Sequence, residues 1–400
     1  MHVLIAGAGI GGLCLAQGLR RAGISCAVYE RAPGINWSGY LLHMNADGGD
    51  ALRRCLPENL YELYVRTSRG TPRRDVLVLQ NHLGHELTTK PHAGPPNDPV
   101  TPHTTVHRRL LCQIMLAGVE DSVHFGRRAV AYRESAEGVS LELADGSVAH
   151  GDVLVAADGI NSTIRRQLLP QVETAVVRQH VLLSRAPLTD EIAKALPEAF
   201  ADSFTISVDP RGTLMAAGVF RPRRDITATG AELAPHAVID PVDDYVTVSL
   251  EPDPAGIGLD DETFFAARGA ALHTVMRSAV TDWSPGLRGL VDGVDPDSIV
   301  PKTIRMVRPT SPWPTSRVTV LGDSIHAMPP MFGDGANSAL RDAAELADTL
   351  TDVAHGRGEL LDAVEAYETR MRARTYPQLR LPPPPPLPAT REAGLRPTSI

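Results

Sequence analysis

The chain has 400 residues, 22% of them charged and 43% hydrophobic, and a formal net charge of -8. That length can bury a sizeable core in two domains, while the negative balance argues against a nucleic-acid binder or a protein held on anionic membranes. No long apolar run is free of charge, glycine and proline, so no integral membrane segment is expected.

Val3 to Ala6 is an apolar run that reads as a buried parallel strand. Gly7, Gly9 and Gly12 follow as G-x-G-x-x-G, then comes a helical pattern from Leu13 to Ala22 and a second strand, Cys26 to Tyr29, ending on Glu30. The first glycine of this fingerprint allows the tight turn, the second lets a pyrophosphate approach the backbone, and the third lets the helix lie against the strand. The helix end offers free N–H groups and positive dipole to phosphates. Glu30 stands where a carboxylate accepts from ribose hydroxyls and repels a ribose phosphate, so FAD or NAD is expected and NADP is not.

Further along, Leu41 to Met44 predicts a short strand, Asp50 to Leu63 a helix, Val76 to Leu79 a strand, and the proline-rich stretch 90–103 a loop. Val106-His107-Arg108-Arg109-Leu110-Leu111 opens a helix. Ala129 to Glu134, Val139 to Leu143 and Val148 to Val155 alternate as strands, with hairpin signals at Glu137-Gly138 and Asp145-Gly146. Between about 170 and 300 the pattern predicts antiparallel strands (176–183, 203–208, 213–220, 245–250) and helices (264–276, 284–290). Arg317 to Leu321 returns to a buried strand, followed by a turn at Gly322-Asp323 and helices at 337–350 and 360–372. Residues 376–400, with Pro382 to Pro386, read as a mobile proline-rich tail. Cys14, Cys26, Cys55 and Cys112 are scattered without C-x-x-C, the chain opens on Met1-His2 without a signal-peptide pattern, and a cytoplasmic location is expected. His82/His85 and His103/His107 lack a third ligand, so no metal is expected.

Three separated pieces then combine: the N-terminal fingerprint with Glu30, the segment Asp158-Gly159-Ile160-Asn161-Ser162-Thr163-Ile164-Arg165, and the run from Gly322-Asp323 to Gly333-Asp334-Gly335-Ala336-Asn337. Together they resemble the FAD-dependent aromatic hydroxylases, the single-component monooxygenases of the para-hydroxybenzoate hydroxylase family. The resemblance covers about residues 1–372 and includes Trp283-Ser284-Pro285 with Leu287 and Arg288. It implies an α/β fold: a Rossmann-like FAD-binding domain (1–70, 101–168 and 302–375) with an inserted antiparallel-sheet substrate domain (71–100 and 169–301). It implies FAD as cofactor, held by Gly7, Gly9, Gly12, Glu30, Arg31, Leu42, Arg108, Asp158, Asp323, Pro330, Gly333, Gly335, Ala336 and Asn337, with Arg109 replacing Arg108 if the register slips. Arg165 is read as a local cap or pair.

The activity implied is NAD(P)H-dependent insertion of one oxygen atom from O₂ into an electron-rich, aromatic or polyketide-like small molecule, by way of a C4a-hydroperoxyflavin. No second G-x-G-x-x-G is present for the nicotinamide, in agreement with transient binding in a shared groove. Substrate is expected between the flavin and the antiparallel sheet, near Leu41 to His43, Phe204, Phe220 and Pro329 to Met331, in an aliphatic-lined pocket given an aromatic content of 4%. Departures from the family are Asp334, a shorter acid facing the flavin region, and Asn36 and Trp37 where several relatives place an arginine. Baeyer–Villiger insertion, epoxidation, other flavin chemistry and a NAD-dependent dehydrogenase stay open as alternatives. A halogenase is disfavoured because Trp37, Trp283 and Trp313 are dispersed.

Overall fold

The computed structural model describes residues 1–35, 41–70, 74, 76–196, 199–200 and 204–380. Asn36, Trp37 and the rest of 36–40, and residues 381–400, lie outside them. Five parallel strands form the first sheet in the order Val318–Val320, Val153–Ala156, His2–Ala6, Ser25–Glu30, Val123–Phe125. Strands 2–6 and 153–156 are apolar on both faces and almost wholly buried, as a parallel strand covered by helices requires. Helix Ile10–Arg21 packs against Gly335–Ala354, and the latter against Leu360–Leu379.

Gly12 is the close-approach point: a β-carbon there would stand 2.0 Å from the Gly7 carbonyl oxygen. Gly7 itself has φ +107°, and its β-carbon would meet the Ala157 carbonyl at 2.5 Å. The first turn of the chain is therefore shaped by contact with the strand ending at Ala156.

A seven-stranded sheet forms the second layer, in the order Val300–Val307, Thr174–Pro187, Tyr245–Glu251, Leu214–Phe220, Phe204–Val208, Val76–Asn81, Glu86–Pro91. It is antiparallel except between 204–208 and 76–81. Strand Val300–Val307 takes residues 302–307 into this sheet, so the change of layer falls after Val307 and not at 302. One face is sealed by helices Asp261–Ala266, Ala270–Ala279 and Pro285–Asp292 through Val246, Val248, Leu250, Phe264, Met276 and Leu287. The opposite face stays half-buried at Leu214, Ala216, Thr247 and Ser249. It looks toward a two-stranded ribbon, Leu41–Met44 with Thr104–His107.

Several predicted boundaries move. The 50–63 helix is two helices, Ala46–Cys55 and Glu58–Thr67, because Pro57 cannot donate and stands as the cap of the second. The 264–276 helix breaks at Gly269, whose φ is +53°. Val148 to Val155 is not one strand: Val148–Gly151 closes a small three-stranded sheet with 129–134 and 139–143, and after Asp152 the chain enters the parallel sheet. Residues 376–379 belong to the last helix, not to a tail, with Tyr376 and Leu379 buried against Met328 beside Met306 and Phe332. Among the described residues no helix is long and apolar enough to cross a membrane.

Candidate functional site

The predicted residues gather at the carboxyl edge of the parallel sheet, where open α/β folds place their ligands. Glu30, at the end of its strand, accepts from the Ala8 N–H at 2.9 Å and from the Ala32 N–H at 2.8 Å, one on each carboxylate oxygen. The fingerprint turn and the acid are thus clamped together, and each oxygen keeps a second lone pair. Helix Ile10–Arg21 begins without a side-chain cap, and its first internal bond is Leu13 N–H to Gly9 O, 2.9 Å. The three N–H groups before it point out of the helix end. A β-carbon on Gly9 would meet nothing within 4 Å, so open space lies over those donors. Arg31 follows Glu30 on the exposed surface.

Asp323 stands just after strand Val318–Val320, on a turn whose Gly322 has φ +60°. Its side chain is exposed, yet protein crowds around it: desolvation pushes its carboxyl above the ordinary range, while the charges of His326 and Arg108 pull the other way. Arg108 therefore lies toward Asp323. Arg109, its neighbour, turns away and pairs with Asp240, which also accepts from Gln113 Nε2 at 2.6 Å. Of the two arginines, Arg108 is the one directed toward Asp323. We expect Arg108→Ala to weaken FAD affinity about tenfold to a hundredfold, the loss of a charge-assisted contact, in a flavin fluorescence titration. Arg109→Ala should leave FAD affinity unchanged and lower the urea midpoint instead.

Asp158 accepts from Thr163 N–H at 2.9 Å through one oxygen, while the other is inaccessible and has no partner among the described residues. Burial holds this carboxyl above its usual range. Arg165 corrects the expectation of a local cap. It donates to Ile160 O at 3.1 Å and also, across 159 positions of sequence, to Ser324 O at 2.8 Å. It stitches the Asp158 turn to the Asp323 turn.

Pro330 to Phe332 form a short 3₁₀ turn, with Pro330 exposed and Met331 half-buried, and Gly333 closes it in the left-handed region. Helix Gly335–Ala354 then starts without a side-chain cap, its N–H groups at Gly335, Ala336 and Asn337 ahead of the first internal bond. The Asn337 side chain is fully engaged: Nδ2 donates to His43 O and Gly333 O, and Oδ1 accepts from Asn45 N–H. What it offers a ligand is its backbone. Asp334 does not face the cleft, contrary to expectation. It is 6% exposed and accepts from Asn45 Nδ2, Ser338 Oγ and Gln378 Nε2 at 3.0, 2.8 and 3.0 Å.

On the substrate side, Phe204 is half-buried and lies with Leu41 against Gly218, whose β-carbon would meet the two side chains at 2.8 and 3.2 Å. Phe220 is corrected to a core residue, 0% exposed, packed between His107 and Tyr245. The latter two share a hydrogen bond of 2.9 Å. Leu42 is half-buried and alternates to the ribbon face opposite Leu41 and His43.

Sequence reasoning missed the pairing of His326 with Asp342 beneath this edge. His326 Nε2 and Asp342 Oδ2 are 2.5 Å apart, the Gly322 N–H donates to the same oxygen at 3.0 Å, and Arg374 donates to Asp342 Oδ1 at 2.5 Å. A separate cleft of about 760 Å³ lies at the far end of helix Ile10–Arg21, between Arg20, Asn59, Ala117 and Pro235, and none of the predicted site residues lines it.

The open space over Gly9, the twin acceptors at Glu30, the accessible but crowded Asp323 and the unpartnered Asp158 oxygen all fit a dinucleotide laid along this edge. Comparison with known proteins agrees. A family model for an FAD binding domain matches residues 295–377, and one for a NAD(P)-binding Rossmann-like domain matches residues 5–48. The chain is similar to a dual O-methyltransferase/FAD-dependent monooxygenase of Cercospora beticola, 30% identical over 93% of this chain, and it spans 44% of that relative's length. It is similar to a FAD-dependent monooxygenase of Trichoderma harzianum, 26% identical over 95% of this chain and 92% of the other. It is also similar to the crystal structure of a Photorhabdus luminescens protein described as a FAD-containing monooxygenase, with TM-score 0.78, 32% identity and coverage of 94% and 95% of the two chains.

Proposed function

The chain belongs to the FAD-dependent aromatic hydroxylase family of monooxygenases, and from that premise we propose that it spends NAD(P)H to place one atom of O₂ on an electron-rich, aromatic or polyketide-like small molecule, as a cytoplasmic enzyme. The observation that carries the reading is the meeting along one sheet edge of Glu30, the uncapped helix end at Gly9, and Asp323 with the charge of Arg108 directed toward it.

When bound, FAD supplies electron transfer from the nicotinamide to O₂ and delivery of the activated oxygen. Glu30 would hold the ribose hydroxyls, and the N–H groups of Ile10, Gly11 and Gly12 the pyrophosphate. Asp323 would hold the ribityl hydroxyls, with Arg108 beside it. The N-terminal end of helix Gly335–Ala354 would face the pyrimidine edge and favour negative charge there. In this reading the parallel-sheet layer is the cofactor unit and the seven-stranded layer the substrate unit. Substrate would lie between the half-buried sheet face at Phe204, Leu214 and Ala216 and the ribbon face at Leu41 and His43. Those apolar walls exclude water from the reacting carbon.

The test is the absorbance spectrum of the purified protein and identification of what heat releases, followed by NAD(P)H oxidation under O₂ with phenolic and polyketide candidates. FAD released, and a product heavier by one oxygen atom and retaining its ring, would support the proposal. A colourless protein that takes up no added FAD would overturn it. A lactone product would replace hydroxylation with Baeyer–Villiger insertion.

A further inference from the structure

Helix Gly335–Ala354 is preceded by a buried acid that does not cap it. An aspartate in the place of Asp334 ordinarily accepts from the N–H groups two or three residues on, and so consumes donors of the first turn. Here no such side-chain bond forms. Both carboxylate oxygens are taken by other groups: Oδ1 accepts from Asn45 Nδ2 at 3.0 Å, and Oδ2 from Ser338 Oγ at 2.8 Å and Gln378 Nε2 at 3.0 Å. The Asn45 amide is oriented from its other end, because its Oδ1 accepts from the Gly48 N–H at 3.1 Å.

This arrangement separates two things that a capping acid combines. The donors of the first turn stay free, while the charge stays at the helix end. Asp334 is 6% exposed, and its hydrogen-bond partners are all neutral donors, the surroundings that suit an ionised carboxylate. No cation stands among those partners. Arg341 pairs with Asp47 and Glu345, and Arg374 with Asp342 and Glu345. A buried negative charge so placed draws on the positive end of the helix it precedes. Part of the field behind the N–H groups of Gly335, Ala336 and Asn337 is thus already answered from within the protein.

We propose that Asp334 tunes the flavin by charge: it leaves this helix end free to donate to the pyrimidine edge but opposes negative charge there, so that the site holds oxidised FAD in preference to reduced FAD. Two-electron reduction places negative charge on that edge of the ring system, and a fixed charge nearby shifts the balance between the two forms. Asp334 acts here without touching the cofactor, through a water-poor helix end in which charge is weakly screened. The role rests on the proposed placement of FAD along this sheet edge.

The experiment measures the midpoint potential of the bound flavin against that of free FAD, which reports the ratio of the affinities for the oxidised and reduced forms. Asp334→Asn removes the charge and keeps the size. It should strengthen the hold on reduced relative to oxidised FAD by about tenfold, a rise of about 30 mV for a two-electron couple. Asp334→Glu, which keeps the charge, should stay near the unsubstituted protein. A merely structural role would weaken the binding of both forms alike and leave the potential unmoved. That result in Asp334→Asn, or a potential that falls, overturns the proposal. If Asp334→Asn does not fold, Asp334→Gln removes the same charge with a longer amide and is judged by the same outcomes. Unsubstituted protein that takes up no FAD would sink the functional reading together with this role, whereas bound FAD with an unmoved potential would sink this role alone.

Discussion

Gly9→Val should give a folded protein that has lost FAD, and Gly12→Ala should give little folded protein at all. The two glycines are three residues apart in one fingerprint, yet they serve different neighbours. A β-carbon at Gly12 would collide with the Gly7 carbonyl at 2.0 Å, a backbone atom that cannot turn aside. Helix Ile10–Arg21 would then have to lift from strand His2–Ala6, and the packing beneath it at Leu13, Leu15 and Leu19 would open. Overpacking of this kind costs about 1–3 kcal/mol where the surroundings yield and more where backbone blocks it. At Gly9 the same β-carbon meets nothing within 4 Å, so the protein alone has no reason to need glycine there. The valine branches would instead fill the space over the uncapped N–H groups. We expect an unchanged urea midpoint for the apoprotein and a fall in FAD affinity of at least a hundredfold, read by flavin fluorescence. Normal FAD binding by Gly9→Val would remove the phosphate reading of this turn.

The second large effect is expected at Asp342, beneath the Gly322–Asp323 turn. This carboxylate is 0% exposed and accepts from Gly322 N–H, from the His326 ring and from Arg374. Burial alone would raise it, but the adjacent His326 and then Arg374 hold it below its ordinary value. His326 is in turn raised, because Asp342 outweighs the burial that would lower it. The signs define a window. The aspartate's contribution is present above its ordinary value and lost as pH falls through the lowered one, whereas the histidine's is present below about 6.5 and lost as pH rises through its raised value. Asp342→Ala would leave His326 buried without its counter-charge and Arg374 with Glu345 alone, a cost of about 3–5 kcal/mol. Chemical unfolding at neutral pH measures it. Because the same oxygen fixes Gly322, the substitution should also weaken FAD binding through the displaced Asp323 turn. A stability change under 1 kcal/mol would show that the network is not what holds that turn.

Much of this was legible in the sequence because it is local. The strand, turn, helix, strand and acid from Val3 to Glu30 lie within 28 positions, and each residue type has one physical reason to be where it is. What could not be read was settled by contacts between distant segments. Asp334 looks like a free acid in a glycine-rich turn until Asn45 and Gln378 arrive to consume it. Arg165 reads as a helix cap until Ser324, 159 residues on, offers its carbonyl. The apolar alternation from Val148 to Val155 carries no mark that Asp152 ends one sheet and begins another. Its backbone N–H donates to His2 O and its carboxylate accepts from His2 N–H, bonds that exist only once the N-terminal strand is alongside. Phe220 and Phe204 share a sheet face and a residue type, and differ because His107 and Tyr245 close over one of them.

The strand order of the parallel sheet also sets a timetable. Strand Val153–Ala156 lies between His2–Ala6 and Val318–Val320, so neighbours in space are separated by about 150 positions in one direction and about 165 in the other. Pairings of such long range form late, after their loop-closure entropy has been met. Asp323 cannot reach the cleft before strand 318–320 docks, and the last of the donors to Asp334, Gln378, arrives only with helix Leu360–Leu379. On a ribosome, the N-terminal fingerprint would thus emerge with its glycines in place long before a dinucleotide could be enclosed. Cofactor capture becomes an event that follows synthesis of the last helix, and a chain stalled before it would expose its nucleotide edge without being able to fill it.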